Sequence, residues 1–381
     1  MSRDFIRQLD DCHDLHRTRP IWNRLRLDPV LLLMLLLPCA AGLFVLYSAN
    51  GRDMAMLIRQ SSYIATGFVV MFAIAQFPQR LMQRLTPYAY GVAVVLLVGV
   101  LIFGSESKGA QRWISLFGFR FQPSEILKLV MPLTIAGWLS RHSLPPGCKE
   151  IGVSLLMIGL PVFLVLAQPD LGTALLIAVS GTFVLLLAGL RWRIIGTAML
   201  LAIPVVWAMW HFVMHSYQKQ RILSFLNPES DPWGHGWNII QSKIAIGSGG
   251  VYGKGWLLGT QSHLDFLPEG HTDFIIAVLA EEFGLLGVTV LLAAYALIIG
   301  RGIYIAMNAQ MLYGRLIAGG TILTFFVYVF VNIGMVSGLL PVVGVPLPLI
   351  SRGGTSIVTL MAGFGVLMSV HTHRNFLGRY T

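Results

Sequence analysis

Apolar runs of about 18–22 residues recur along nearly the whole chain, each long enough to cross a hydrocarbon layer about 30 Å thick. That feature leaves few architectures. Inside a bilayer the backbone has no water to bond, so each run must satisfy its amides within itself, as a helix. Composition agrees: of 381 residues, 55% are hydrophobic and only 12% charged, about half the charged share of a soluble domain. The expected fold is an all-α polytopic membrane protein.

Ten spans are expected, at 29–49, 57–77, 88–104, 125–140, 151–168, 172–190, 194–215, 273–300, 316–338 and 356–371. Arg and Lys gather in the short segments that an inside N-terminus would leave in the cytoplasm, about sixteen of the 27 basic residues. Both termini are therefore expected inside, with tails at 1–28 and 372–381 around one membrane domain at 29–371. The run "PVLLLMLLLPCAAGLFVLY" follows a polar, Arg-rich start and lacks a small-residue cleavage site, so it reads as a span rather than a cleaved signal. Segment 216–272 becomes one large extracytoplasmic loop between spans 7 and 8, and its Trp, Ile and Gly content favours an ordered, functional segment. The net charge of +10 follows from orientation and calls for no nucleic acid.

Some basic residues escape that explanation. Lys108, Arg112, Arg120, Lys219, Arg221, Lys243, Lys254 and Arg352 fall on the outer face, where they suit an anionic ligand. Cys12, Cys39 and Cys148 are too scattered for a disulfide framework. The pairs His211/His215 and His371/His373 lack acidic or thiol companions for zinc. The Gly-rich "IGSGGVYGKGWLLGTQ" (246–261) fails the Walker pattern at Ser248 and Gly255. What remains is a hydrogen-bonding loop whose amides and Lys254 can meet a lipid pyrophosphate.

Three stretches place ionisable groups at helix ends. In "FQPSEILKLVMP" (121–132), Pro123 suits the first helical position, Glu125 the first turn, and Lys128 lies one turn on, within pairing reach. A capped helix with an ion pair accounts for this as well as a functional site does. In "QPDLGTALL" (168–176), either Asp170 caps the sixth span or Pro169 and Gly172 simply mark the turn. In "FLPEGHTDFIIAVLAEEFG" (266–284), Thr272 is expected as the N-cap, with Asp273 in the first helical turn. Asp273, Ala277, Ala280, Glu281 and Gly284 then share a small, acidic face that a neighbouring helix or a lipid chain can approach closely. Asp273 suits either dipole complementarity or chemistry; Glu281 and Glu282 suit burial against a basic partner.

The ordered motifs "SKGAQRWI" (107–114), "FQPSEILK" (121–128), "QPDLGTA" (168–174), "QSKIAIGSGG" (241–250), "GKGW" (253–256), "FLPEGHTDFI" (266–275), "AEEFGLLG" (280–287) and "GVPLPLISRGGTS" (344–356) resemble the SEDS family (shape, elongation, division and sporulation) over essentially the whole chain. "LPVVGVPLPL" and the short N-terminal tail are closer to its rod-shape branch than to its division branch, whereas Gly270, Arg352 and Thr355 depart from the usual motifs.

The resemblance implies a ten-span protein of the bacterial inner membrane that polymerises lipid II into peptidoglycan strands beside a class B penicillin-binding protein. It implies Asp273 as the essential aspartate, here assigned as general base. With the outward cations it marks Arg112, Gln122, Ser124, Glu125, Lys128, Lys243, Lys254, Glu269, His271 and Thr272 as substrate-binding, and Asp170, Glu281 and Ser351 as groove-lining or structural. No cofactor is assigned; a divalent cation, Mg or Mn, stays open for the pyrophosphate. A lipid II flippase and a non-catalytic scaffold are the competing functions.

Overall fold

The structure, a computed structural model, describes residues 26–107, 110–116, 119–214, 219, 223, 235–264, 266–267 and 269–377. Most of the N-terminal tail, Cys12, Lys108, Arg221 and His215 lie outside the described residues, as does the side chain of Arg112.

Every expected span falls on a helix: α1 Pro29–Ala49, α2 Met54–Ala75, α3 Gln79–Phe103, α4 Pro123–Leu139, α5 Cys148–Ala167, α6 Leu171–Leu187, α7 Trp192–Ala208, α10 Ile275–Met307, α11 Leu312–Val336 and α12 Gly354–Leu377. Eight are long and apolar enough to cross a membrane, α7 counting with the π-helical turn Met209–Val213 that ends it. The other two, α4 and α6, have 17 residues each, about 25 Å of rise.

An all-helical chain was expected, yet three strands follow α3. β1 Ser105–Ser107, β2 Ala110–Leu116 and β3 Phe119–Phe121 form an antiparallel sheet in the order β1-β2-β3. At three residues each, β1 and β3 are too short to show a period-2 pattern, which leaves the seven-residue β2 as the one strand long enough to carry it. Segment 216–272 is likewise more than a loop. It carries α8 His235–Gly249 and the single turn α9 Thr260–His263, and α8 packs against α10.

The core lies where α10, α11 and α12 meet α2, α4 and α6. Tyr295, Phe325 and Phe364 stack edge-to-face at its centre. In contrast, no described side chain of α7 is buried, and the helix makes no extensive contact with the other membrane helices. One end of the bundle is tied by Arg301 to Asp28 (2.8 Å) and by Ser369 Oγ to Phe77 O (2.7 Å). The opposite end gathers the sheet, the α5–α6 junction, the 250–274 segment and the α11–α12 connection; Gln122 Nε2 to Asp170 Oδ2 (3.3 Å) and Trp256 Nε1 to Phe44 O (3.2 Å) hold it.

Two backbone features shape that second end. First, α10 is broken at Gly284 (φ 65°, ψ −162°), where a continuous helix was expected. Segment 250–255 enters the break: Leu285 N and Leu286 N donate to Gly250 O and Val251 O, while Lys254 N and Gly255 N donate to Glu281 O and Glu282 O. A Cβ on Gly253 or Gly284 would overlap the facing backbone, so only glycine allows this approach. Second, residues 344–353 dip back into the bundle without forming a helix. Pro348 O accepts from Tyr295 Oη at 2.6 Å, and Ile350 Cα lies 2.7 Å from where a Cβ on Gly42 would stand. Gly42 is seven residues from the end of α1, about 10 Å deep. Irregular backbone is tolerated at that depth because protein surrounds it.

Candidate functional site

The turn 269–274 joins the segment 250–274 to α10 and carries Asp273. Its helix starts later than expected. Phe274 is the N-cap and Ile275 the first helical residue, so Asp273 precedes the helix rather than sitting in its first turn. Thr272 does not cap: its hydroxyl donates to Glu269 Oε2 at 2.6 Å. The Glu-Gly-His-Thr stretch closes on itself instead, with Thr272 N and Phe274 N both donating to Glu269 O.

Three consecutive carbonyls of this turn are held by α11 and the connection that follows it. His271 O accepts from Arg352 N (3.1 Å), Thr272 O from Ser351 Oγ (2.6 Å) and Asp273 O from Asn332 Nδ2 (2.8 Å). The clamp is itself held. Ser351 Oγ accepts from Leu347 N (2.8 Å), Ser351 O from Gln60 Nε2 (3.1 Å), and Asn332 donates a second time, to Val345 O (2.7 Å). The half-buried Asp273 carboxylate lies over Gly344, its Oδ2 3.6 Å from where a Cβ would stand. The backbone around this acid is thus fixed before any ligand arrives, as charge-handling groups require.

The other expected residues fall into separate groups. Glu125 and Lys128 pair at 2.6 Å in the bundle interior, and Lys128 Nζ stands 5.1 Å from the Tyr328 ring centre. They line a cavity of about 40 Å³ with Thr321, Thr324, Tyr328 and Thr359. Asp170 caps α6 through Thr173 N (3.2 Å), accepts from Thr173 Oγ1 (2.9 Å) and holds Gln122. Ser124 is buried, and its hydroxyl has no partner among the described residues.

Glu281 is fully buried and tied to the Gly-rich segment. Its Oε1 accepts from Lys254 Nζ (2.7 Å), Thr260 N (2.8 Å), Thr260 Oγ1 (3.0 Å) and Gln261 N (3.1 Å). Small residues on that face admit the chain's own 249–254 segment rather than a lipid chain. Glu282, next to it, bonds Ser48 Oγ of α1.

Two of the four cations marked as substrate-binding, Lys128 and Lys254, are therefore engaged in ion pairs. Lys243 is exposed and lies against Gly338, just past the end of α11; like Arg352 it forms no ion pair among the described residues. Among those residues no three His, Cys, Asp or Glu side chains converge as a metal centre. Sequence reasoning missed Asn332 altogether. Its signal was an amide side chain in the middle of an apolar helix, where a polar group needs a partner.

A broken membrane helix, a re-entrant connection and a clamped aspartate at one end of the bundle define the class. The chain belongs to the SEDS family: the profile described as "Cell cycle protein", covering FtsW, RodA and SpoVE, matches residues 28–376. The peptidoglycan glycosyltransferase MrdB of Escherichia coli (strain K12) is 55% identical over 361 residues, 95% of this chain and 98% of its own. A chain solved in work on the structural coordination of polymerization and crosslinking by a peptidoglycan synthase complex superposes with a TM-score of 0.79 at 34% identity, covering 91% of this chain and 98% of that one. The rod shape determining protein RodA of Thermus thermophilus superposes with a TM-score of 0.69 at 30% identity, covering 91% and 97%.

Proposed function

We propose that this chain is a peptidoglycan glycosyltransferase that polymerises lipid II at the outer face of the bacterial inner membrane during cell elongation. It crosses the membrane ten times with both termini inside, and the end of the bundle holding Asp273 faces outward. The observation that carries the reading is the clamped turn: three successive carbonyls fixed by Arg352, Ser351 and Asn332, with the Asp273 carboxylate over Gly344.

The chemistry follows. A sugar hydroxyl of one lipid-linked chain attacks the anomeric carbon of another. The new C–O bond forms as the bond to pyrophosphate breaks and the leaving group takes the electron pair. Asp273 accepts the hydroxyl proton. The pyrophosphate leaves as an anion, and Lys243, Arg352 and Arg112 are the cations on this face that offset its charge. Glu269, His271 and Thr272 form the turn that presents the carboxylate. A class B penicillin-binding protein supplies crosslinking, in keeping with the synthase complex that this fold matches.

The buried cavity beside Glu125 and Lys128 is the one observation that favours a flippase. At about 40 Å³ it has room for no more than a few waters, far too small for a sugar headgroup. A pure scaffold has no use for a clamped acid.

The test is polymerisation of lipid II by the purified complex in detergent, where flipping has no meaning. Asp273→Asn keeps the shape but cannot take the proton, and removing a general base costs a factor of about 10²–10⁴. A near-parental rate for the Asn variant removes Asp273 from the chemistry. A parental complex that makes no polymer, with or without Mg or Mn, returns the choice to flippase or scaffold.

A further inference from the structure

We propose that Asn332 is the positioning residue for Asp273, fixing where the carboxylate stands by joining the aspartate turn to the re-entrant connection. This rests on Asp273 being the base.

Asn332 lies on α11 and is fully buried. Its amide nitrogen has two hydrogens, and both are used: one on Asp273 O (2.8 Å), the other on Val345 O (2.7 Å). With two carbonyls facing it, that atom must be the nitrogen, so the amide orientation is set by its partners. The acceptors come from different segments, one 59 residues before Asn332 and one 13 after. Val345 follows Gly344, whose Cα side lies under the Asp273 carboxylate. One side chain therefore sets both the backbone that carries the acid and the surface beneath it.

The other bonds that hold the turn fall on His271 O and Thr272 O, and on Glu269 O from Thr272 N and Phe274 N; Asn332 adds a bond that ties Asp273 O to α11. Asn332 Oδ1 has no partner among the described residues. An ordinary packing residue would be apolar here, since a half-satisfied amide in a membrane helix is costly. Retaining it makes sense if the two donated bonds serve geometry. A catalytic group displaced by about 1 Å can lose about 100-fold in rate.

The test uses Asn332→Leu, which keeps the volume and removes both donors, and Asn332→Thr, which keeps one short donor. Rates are counted per folded complex recovered with the penicillin-binding partner, so a variant that folds poorly still reports. The expected result is kcat for lipid II polymerisation reduced about 10-fold or more, with KM within about twofold, because substrate contacts are untouched.

A second measurement does not use activity. Asp273 is coupled to glycine methyl ester with a water-soluble carbodiimide, against exposed Asp53 as internal standard. Its rate is expected to change several-fold in the Leu variant while Asp53 is unaffected. Folded variants with parental kcat, or unchanged Asp273 coupling, overturn the inference. If the parental enzyme itself fails to polymerise lipid II, the assigned function is at fault, and the coupling ratio still decides the role of Asn332.

Discussion

Buried ionisable groups separate what spacing can show from what only the fold can show. Glu125 and Lys128 are three residues apart, so their pairing was legible: residues one helical turn apart meet. Lys254 and Glu281 are 27 residues apart, and nothing local joins them. For Asn332, the lone amide was visible, but its partners belong to segments brought together only by tertiary structure. Two variants test the pairs. Glu281→Ala leaves Lys254 without its carboxylate and strips Thr260 and Gln261 of an acceptor. It should lower stability by about 3 kcal/mol, read as a fall in melting temperature in detergent, and Lys254→Met added to it should recover part of the loss. An unchanged melting temperature would show the anchor to be idle. Glu125→Ala strands Lys128 in the interior, at about 2–3 kcal/mol on insertion scales. Adding Lys128→Ala should restore stability without restoring polymerisation, and full activity of the single variant would leave Glu125 a capping residue only.

Helices followed from length and hydrophobicity alone, and the spans on α1, α4 and α5 were recognisable within a few residues. Their interruptions were not. Gly284 looked like one more small residue on a packing face, and glycine is common in membrane helices. What sets it apart is its backbone, φ 65° and ψ −162°, a region essentially closed to other residues. The re-entrant connection had a weak signal. "LLPVVGVPLPLI" (339–350) is apolar but only 12 residues long, a length that suits a re-entrant segment better than a span. Gly284→Ala should cost about 1–3 kcal/mol in strain and expel segment 250–255 from the break. Limited proteolysis should then cut near Tyr252, which is 81% exposed and already lies at the tip of that segment, much faster than in the parent. Equal cleavage rates would contradict the interlock.

At the scale of the whole molecule, orientation came from charge and the two ends from contacts. The basic-residue asymmetry predicts that Cys148 is cytoplasmic, and the structure leaves that residue exposed. With Cys12 and Cys39 changed to serine, an impermeant thiol reagent on intact cells should label Tyr252→Cys and spare Cys148. The reverse pattern would invert the protein, and equal labelling would end the ten-span proposal. The broken helix also bears on how such a chain is put into the membrane. The peptide groups on either side of Gly284 find their partners in residues 250–255, which are synthesised earlier and, in the proposed orientation, have to cross to the far side first. Until that passage is finished, the eighth span would expose unbonded amides to hydrocarbon, so translocation of the loop and insertion of the span are one event rather than two.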